Sequence, residues 1–105
     1  MNIKPNATVL DGCVLSLLSR NDYYGYELTK RVQESIQISV STMYPVLRRL
    51  KKQELLSTYK RIYHGRKRLY YRITPEGANR LTRIRFAWSQ FKKGIDDMLG
   101  RVNNE

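Results

Sequence analysis

Apolar positions in the first part of the chain recur with a helical period. From Val9 to Ser19, the residues Leu10, Cys13, Val14, Leu17 and Leu18 fall at i, i+3, i+4, i+7 and i+8, the stripe a helix buries against a core. After the break RNDYYG, the segment GYELTKRVQES sets Leu28 and Val32 four residues apart, with Asp22 as the cap ahead of a short, half-polar second helix. A third helix begins at Ser39 or Ser41 in SVSTMYPVLRRLKKQELL. On a wheel at 100° per residue, Met43, Val46, Leu47 and Leu50 gather on one face. Ser41, Tyr44, Arg48 and Lys52 gather on the opposite face, with Thr42 and Arg49 on its flank. Pro45 fits such a helix near its start, where the missing N–H removes at most one intrahelical bond.

From Leu55 to Thr74 the period changes. LLSTYKRIY and KRLYYRIT are rich in Tyr, Ile and Leu, and Leu69, Tyr71 and Ile73 alternate with Arg68, Tyr70 and Arg72. With HGRK between them, these runs predict a β-hairpin with a basic tip. Thr74 as cap and Pro75 at the first helical position then open a final helix. Within it Leu81, Ile84, Trp88, Phe91, Ile95, Met98 and Val102 are spaced 3, 4, 3, 4, 3 and 4, an a/d seam. Such spacing also serves a helix packed on its own domain. The narrow seam and its basic flanks, Arg80, Arg83, Arg85, Lys92 and Lys93, favour a partner helix and hence a homodimer.

Three helices followed by a two-stranded hairpin is the order of a winged helix-turn-helix, whose third helix enters the DNA major groove. The fold class expected is mainly α (α+β), with a two-stranded β wing and a long C-terminal dimerisation helix. Residues 1–74 would form the DNA-binding part and residues 75–105 the dimerisation helix, in one compact unit, as the length of 105 residues allows.

Charge sharpens this reading. The chain has 20 Lys and Arg against 9 Asp and Glu, a formal charge of +11. Between Arg48 and Arg72 stand ten cations and one acid, Glu54, so this segment carries nine of the eleven net charges, with four tyrosines interleaved. That density exceeds what solubility requires and points to a polyanionic partner. Ser41, Thr42 and Tyr44 lie where donors reach base edges, and Arg48, Arg49 and Lys52 lie where a cation reads guanine or clasps phosphate. Lys60, Arg61, Arg66, Lys67 and Arg68 on the wing suit the phosphate backbone. His64, the chain's one histidine, joins them at the wing tip as a solvated turn residue with neither a second metal ligand nor a nucleophile near it in sequence.

Other chemistries find little support. The single Cys13 lies in an apolar run as a small core residue, consistent with a reducing cytoplasm. No 18-residue apolar stretch or signal-peptide order is present, so the chain is expected to be soluble, unexported and cytoplasmic, on the bacterial nucleoid, without a membrane partner. A phosphate-cradling glycine loop is lacking, and Asp96 and Asp97 at adjacent helix positions point apart. No catalytic residue, metal or cofactor is expected, and the chain reads as no enzyme.

GYELTKRV, SVSTMYPVLRRLKKQELL and GRKRLYYRITPEG, in that order and spacing, resemble the PadR family of bacterial transcriptional regulators, from about Leu10 to the last helix. The most specific element is STMYPVLRRL, which is similar to the family's recognition-helix pattern at Thr42, Met43, Tyr44, Pro45, Leu47 and Leu50. The resemblance implies a homodimeric winged-helix repressor of double-stranded DNA operators. A single short helix after the wing resembles the family's short branch, in which a multidrug-binding repressor stacks flat ligands between two indoles. Trp88 stands at the matching position, which makes it, with Leu10 and Val14 of the first helix as edges, the candidate site for a small planar aromatic effector. In two places the chain departs from the pattern. Glu54 stands where the family usually has glycine, so the helix exit must bear strain or be made another way. Lys92 stands where the multidrug type has an acid, which argues against cationic ligands. The alternative from charge alone is a basic architectural or RNA-binding protein without an effector; a two-fold repeated duplex site would separate the two.

Overall fold

The computed structural model describes residues 1–100 and runs α1 (Ala7–Leu18), β1 (Tyr23–Tyr24), α2 (Gly25–Gln33), α3 (Val40–Lys52), β2 (Leu56–Tyr63), β3 (Arg66–Ile73) and α4 (Pro75–Leu99). This is the winged helix-turn-helix order, mainly helical, with one antiparallel sheet. Val102, the last position of the expected seam, lies outside the described residues. The sheet has three strands in the order β1-β3-β2, one more than expected, because Tyr23 and Tyr24 pair with Tyr71 and Tyr70. A two-residue strand leaves no periodic signal.

Each helix start is satisfied locally or by the fold. Asn6 caps α1 by accepting from the Val9 N–H at 2.8 Å, and Ser39 caps α3 by accepting from Thr42 N–H at 3.3 Å. Pro45 is inside α3, and its neighbours Met43, Val46, Leu47 and Leu50 are all buried, as the wheel required. Asp22 does not cap α2. Tyr24 occupies that position without a side-chain bond, and Asp22 instead accepts from the Tyr59 hydroxyl at 2.6 Å and from Arg72 Nε at 3.1 Å, tying the start of β1 to the sheet.

In α1 the buried stripe is Leu10, Val14, Leu15 and Leu18, with Asp11 beside it, while Cys13 and Leu17 are only half-buried. Beside the stripe, Asp11 accepts two hydrogen bonds from Arg49, 3.0 and 2.5 Å, across the α1–α3 contact. Leu28 and Val32 of α2, Leu55 and Leu56 at the root of the wing, and Leu81 and Ile84 of α4 complete the core. Leu81 and Ile84, expected in a seam with a partner helix, thus pack into this chain's own core. The reason is steric: Gly12 lets α4 approach so closely that an added Cβ would stand 2.6 Å from Ile84 Cγ2.

The exit of α3 is a Schellman motif. Leu55 N–H bonds the Leu50 carbonyl and Glu54 N–H bonds the Lys51 carbonyl, both at 2.9 Å, with Glu54 at φ 60°. The strain expected at this non-glycine position is thus present. Glu54→Gly is expected to raise stability by about 0.5–1 kcal/mol, since left-handed backbone costs a residue with a Cβ about 1–2 kcal/mol and glycine's freedom when unfolded offsets part of the relief. A urea midpoint that stays put or falls would contradict this. The same corner anchors α4: Thr74 Oγ1 donates to the Glu54 carbonyl at 2.7 Å and caps Gly77 N–H at 3.0 Å. A Cβ on Gly77 would lie 2.2 Å from the Leu55 carbonyl oxygen, so only glycine fits.

Candidate nucleic-acid interface

Strand alternation divides the wing into two faces. By cross-strand register, Leu56, Thr58, Lys60 and Ile62 share one face with Ile73, Tyr71, Leu69 and Lys67. At the root this face packs on the core through Leu56, Tyr71 and Ile73. Past Tyr71 it has no core beneath it, which is why Leu69 is exposed although it continues the apolar alternation, and Lys60 and Lys67 stand in solvent.

Helix α3 borders that face. The rings of Tyr71 and Tyr44 both flank Gly25, where an added Cβ would lie 3.6 and 3.7 Å from them. Burial pushes the Tyr71 hydroxyl up, Tyr44 adds to the effect and Arg48 opposes it, so these three groups form one neighbourhood. Ser41, Thr42, Tyr44, Arg48 and Lys52 are exposed along the outer side of α3. The hydroxyls of Ser41 and Thr42 lie 2.9 and 3.0 Å from Ser39 Oγ, which holds both at the N-terminal end of the helix. The outer side of α3 thus adjoins the lysine-bearing face of the wing at its root. Among the described residues, Arg48, Lys51, Lys52, Lys60 and Lys67, and Arg66 on the other face at the wing tip, are exposed and form no salt bridge. Such a surface can neutralise phosphates while presenting donors to base edges.

Some expected contacts are otherwise engaged. Arg49 pairs with Asp11, whose side chain is 8% exposed, where a cation reading guanine or clasping phosphate was expected. Arg61 and Arg68 lie on the opposite face of the sheet, with Arg61 over Tyr70 at 5.1 Å and Arg68 over Tyr24 at 4.5 Å, while Arg72 covers Tyr59 at 4.7 Å. Tyr70 is buried beneath this layer. Arg68 is half-buried there, so it is not the free backbone cation expected. His64 and Gly65 form the two-residue loop, both at positive φ, with the imidazole edge-on to Tyr63 at 4.2 Å. His64 is exposed at the tip.

The effector edges also change. Leu10 and Val14 are core residues, 4% and 0% exposed. The surface of α1 that meets Trp88 is made by Thr8, Val9 and Cys13. Trp88 is 45% exposed and Phe91 60%, their rings 6.0 Å apart, above a small cleft of about 100 Å³ against Thr8 and Val9. Beyond it a groove of about 530 Å³ runs between α1, α4 and the end of α2. Ile95 is half-buried and Met98 exposed. Burial pushes the Cys13 thiol, which lines the groove, up from its ordinary range. Among the described residues no three His, Cys, Asp or Glu side chains are grouped to hold a metal, and no helix is long and apolar enough to cross a membrane.

Known proteins share this arrangement along the whole chain. An uncharacterised protein of Lysinibacillus sphaericus is 38% identical over 92 residues, covering 83% of this chain and 84% of its own. The crystal structure of a Streptococcus mutans protein superposes with a TM-score of 0.88 at 33% identity, covering 100% of both chains. That of a PadR family transcription regulator from Clostridium difficile does so with 0.80 at 33% identity, covering 87% of this chain and 98% of that one. Residues 14–83, from the middle of α1 to the buried part of α4, match the model of the transcriptional regulator PadR-like family. The chain belongs to that family and is a transcriptional regulator.

Proposed function

We propose that the chain is a homodimeric, sequence-specific repressor that binds duplex DNA on the bacterial nucleoid, in the cytoplasm, and is released by a small planar aromatic molecule. The observation that carries the DNA half is the pairing of exposed donors on α3 with unpaired lysines on the adjoining face of the wing. On this reading Thr42, Tyr44 and Arg48, with Ser41, meet base edges, and Lys52, Lys60, Arg66 and Lys67 meet phosphate. His64 at the tip follows the wing.

Bases carry sequence and phosphates do not, so the two sets fail differently. Replacing Arg66 and Lys67 with Ala is expected to weaken specific and random DNA alike and to flatten the salt slope. Thr42→Ala or Tyr44→Ala is expected to shrink the ratio between specific and random binding by about 1–3 kcal/mol for each lost base contact. Equal loss of discrimination from both sets would show that the roles are assigned wrongly.

The effector half rests on the exposed indole. Two copies of Trp88 across a two-fold axis would wall a slot for one flat molecule, bordered by Phe91 and by Val9 of α1. A ligand wedged there changes the helix crossing, hence the separation of the two copies of α3, and lowers affinity for DNA if it binds the altered spacing better. Lys92 one turn on favours neutral or anionic rings over cationic dyes. Trp88 is the one tryptophan, so its emission reports binding directly. Titration of planar aromatics of both charges should give saturable quenching by neutral or anionic compounds and operator release that Trp88→Ala abolishes. Release that survives without the indole, or no quenching by any compound, would leave Trp88 as an interface anchor.

A further inference from the structure

Helix α3 is held in the fold chiefly by apolar contact. Met43, Val46, Leu47 and Leu50 lie in the core. Such contacts are non-directional, so they decide which side of the helix faces inward more firmly than its roll about its own axis. The polar tether is a single one. Among the described residues, the two hydrogen bonds from Arg49 to Asp11 of α1 are the one side-chain hydrogen-bonded link from α3 to another element. The hydroxyls of Ser39, Ser41 and Thr42 bond only within the start of the helix. Both terminal nitrogens of Arg49 meet Asp11, one on each carboxylate oxygen. A fork of this kind fixes angle as well as distance.

Its place on each helix gives that constraint a use. On α3, Arg49 follows Thr42 by seven residues, two turns, and so lies on the same side of the helix, directly after Arg48. A roll of α3 that the fork prevents would carry Thr42 and Arg48 off their contacts. On α1, Asp11 precedes Gly12, whose missing side chain admits Ile84 of α4. Two adjacent residues of α1 thus set α3 and α4 in place.

Stability alone does not explain the pair. Asp11 is 5% exposed, beside the buried stripe of Leu10, Val14 and Leu15. Taking a carboxylate out of water offsets most of what the pairing returns, and an apolar pair of similar shape often serves the fold as well or better.

We propose that Asp11 is a positioning residue for DNA recognition: through Arg49 it fixes the roll of α3 on α1, and hence the placement of Thr42, Tyr44 and Arg48, while neither Asp11 nor Arg49 touches DNA. This rests on the sequence-specific binding proposed above and assigns part of the specificity to a residue outside the interface. The probes are a duplex that the wild type selects from random sequences and a scrambled duplex of the same composition. Asp11→Asn and Arg49→Gln are each expected to lower the ratio of the two affinities about tenfold, the worth of roughly one base contact. Affinity for the scrambled duplex and its salt dependence should stay as in the wild type, and the double variant should be no worse than either single one. The apolar pair Asp11→Leu with Arg49→Met separates positioning from stability. Its urea midpoint is expected to match or exceed that of the wild type while the ratio falls by the same factor. An unchanged ratio in that pair would overturn the proposal; should the pair fold poorly, the ratio in Asp11→Asn, which keeps the shape of the carboxylate, decides in its place. Arg49→Gln that weakens scrambled DNA and flattens its salt slope, with Asp11→Asn silent, would also overturn it and make Arg49 a phosphate contact. A wild type that selects no duplex would overturn the sequence-specific reading as well.

Discussion

Raising salt from about 50 to about 200 mM is expected to weaken binding to operator DNA by about 10³- to 10⁵-fold, the loss that accompanies roughly 6 to 10 phosphate contacts. Among the described residues, six exposed cations with neither a salt bridge nor a tyrosine ring beneath them, Arg48, Lys51, Lys52, Lys60, Arg66 and Lys67, lie on α3 and the wing of one chain, and a dimer would double them. Arg49, Arg61, Arg68 and Arg72 do not add to this number, because they are committed to Asp11, to tyrosine rings or to Asp22. Lys60→Ala with Lys67→Ala should therefore reduce the slope of log affinity against log salt more than Arg61→Ala with Arg68→Ala, which would chiefly loosen the wing. Fluorescence anisotropy across a salt series measures both. An affinity nearly independent of salt would contradict a phosphate-bound complex.

The other large effect is expected at Phe91. Its ring is 60% exposed in the single chain, so Phe91→Asp should leave the fold intact. In the proposed dimer the ring lies near the centre of the α4 seam, and a carboxylate buried there without a partner costs several kcal/mol, enough to separate the subunits. A monomer reads only one half-site and should lose operator binding. Sedimentation gives the answer directly: an intact Phe91→Asp dimer would place the interface elsewhere on the chain.

Much of this was legible in the residue pattern because the physics is local. The wheel of α3 separates Met43, Val46, Leu47 and Leu50 from Tyr44, Arg48 and Lys52, and burial divides them the same way. Thr74 and Pro75 announce α4 through capping chemistry. What escaped depends on contacts between distant segments. Asp11 and Arg49 are 38 residues apart, so no spacing rule joins them, and Arg49 read as a free cation. Leu81 and Ile84 obey the same heptad as Phe91 and Met98; only the close approach at Gly12 assigns them to the chain's own core. Reading HGRK as the turn left the wing register open, whereas the two-residue loop His64–Gly65 sets Tyr59 opposite Tyr70 and Arg61 opposite Arg68. That register would have revealed the stacked tyrosine–arginine face and the separate lysine face from sequence alone.

Selection of bound sequences from random duplexes by the purified protein tests the central claim most directly. A dimer reading DNA through two copies of α3 should enrich an inverted repeat whose half-sites are centred about one helical turn, roughly 10 base pairs, or a multiple of it apart. Thr42→Ala should relax the preference within each half-site while keeping their spacing. Enrichment of no motif, or of a single unrepeated site, would contradict sequence-specific binding by a two-fold dimer.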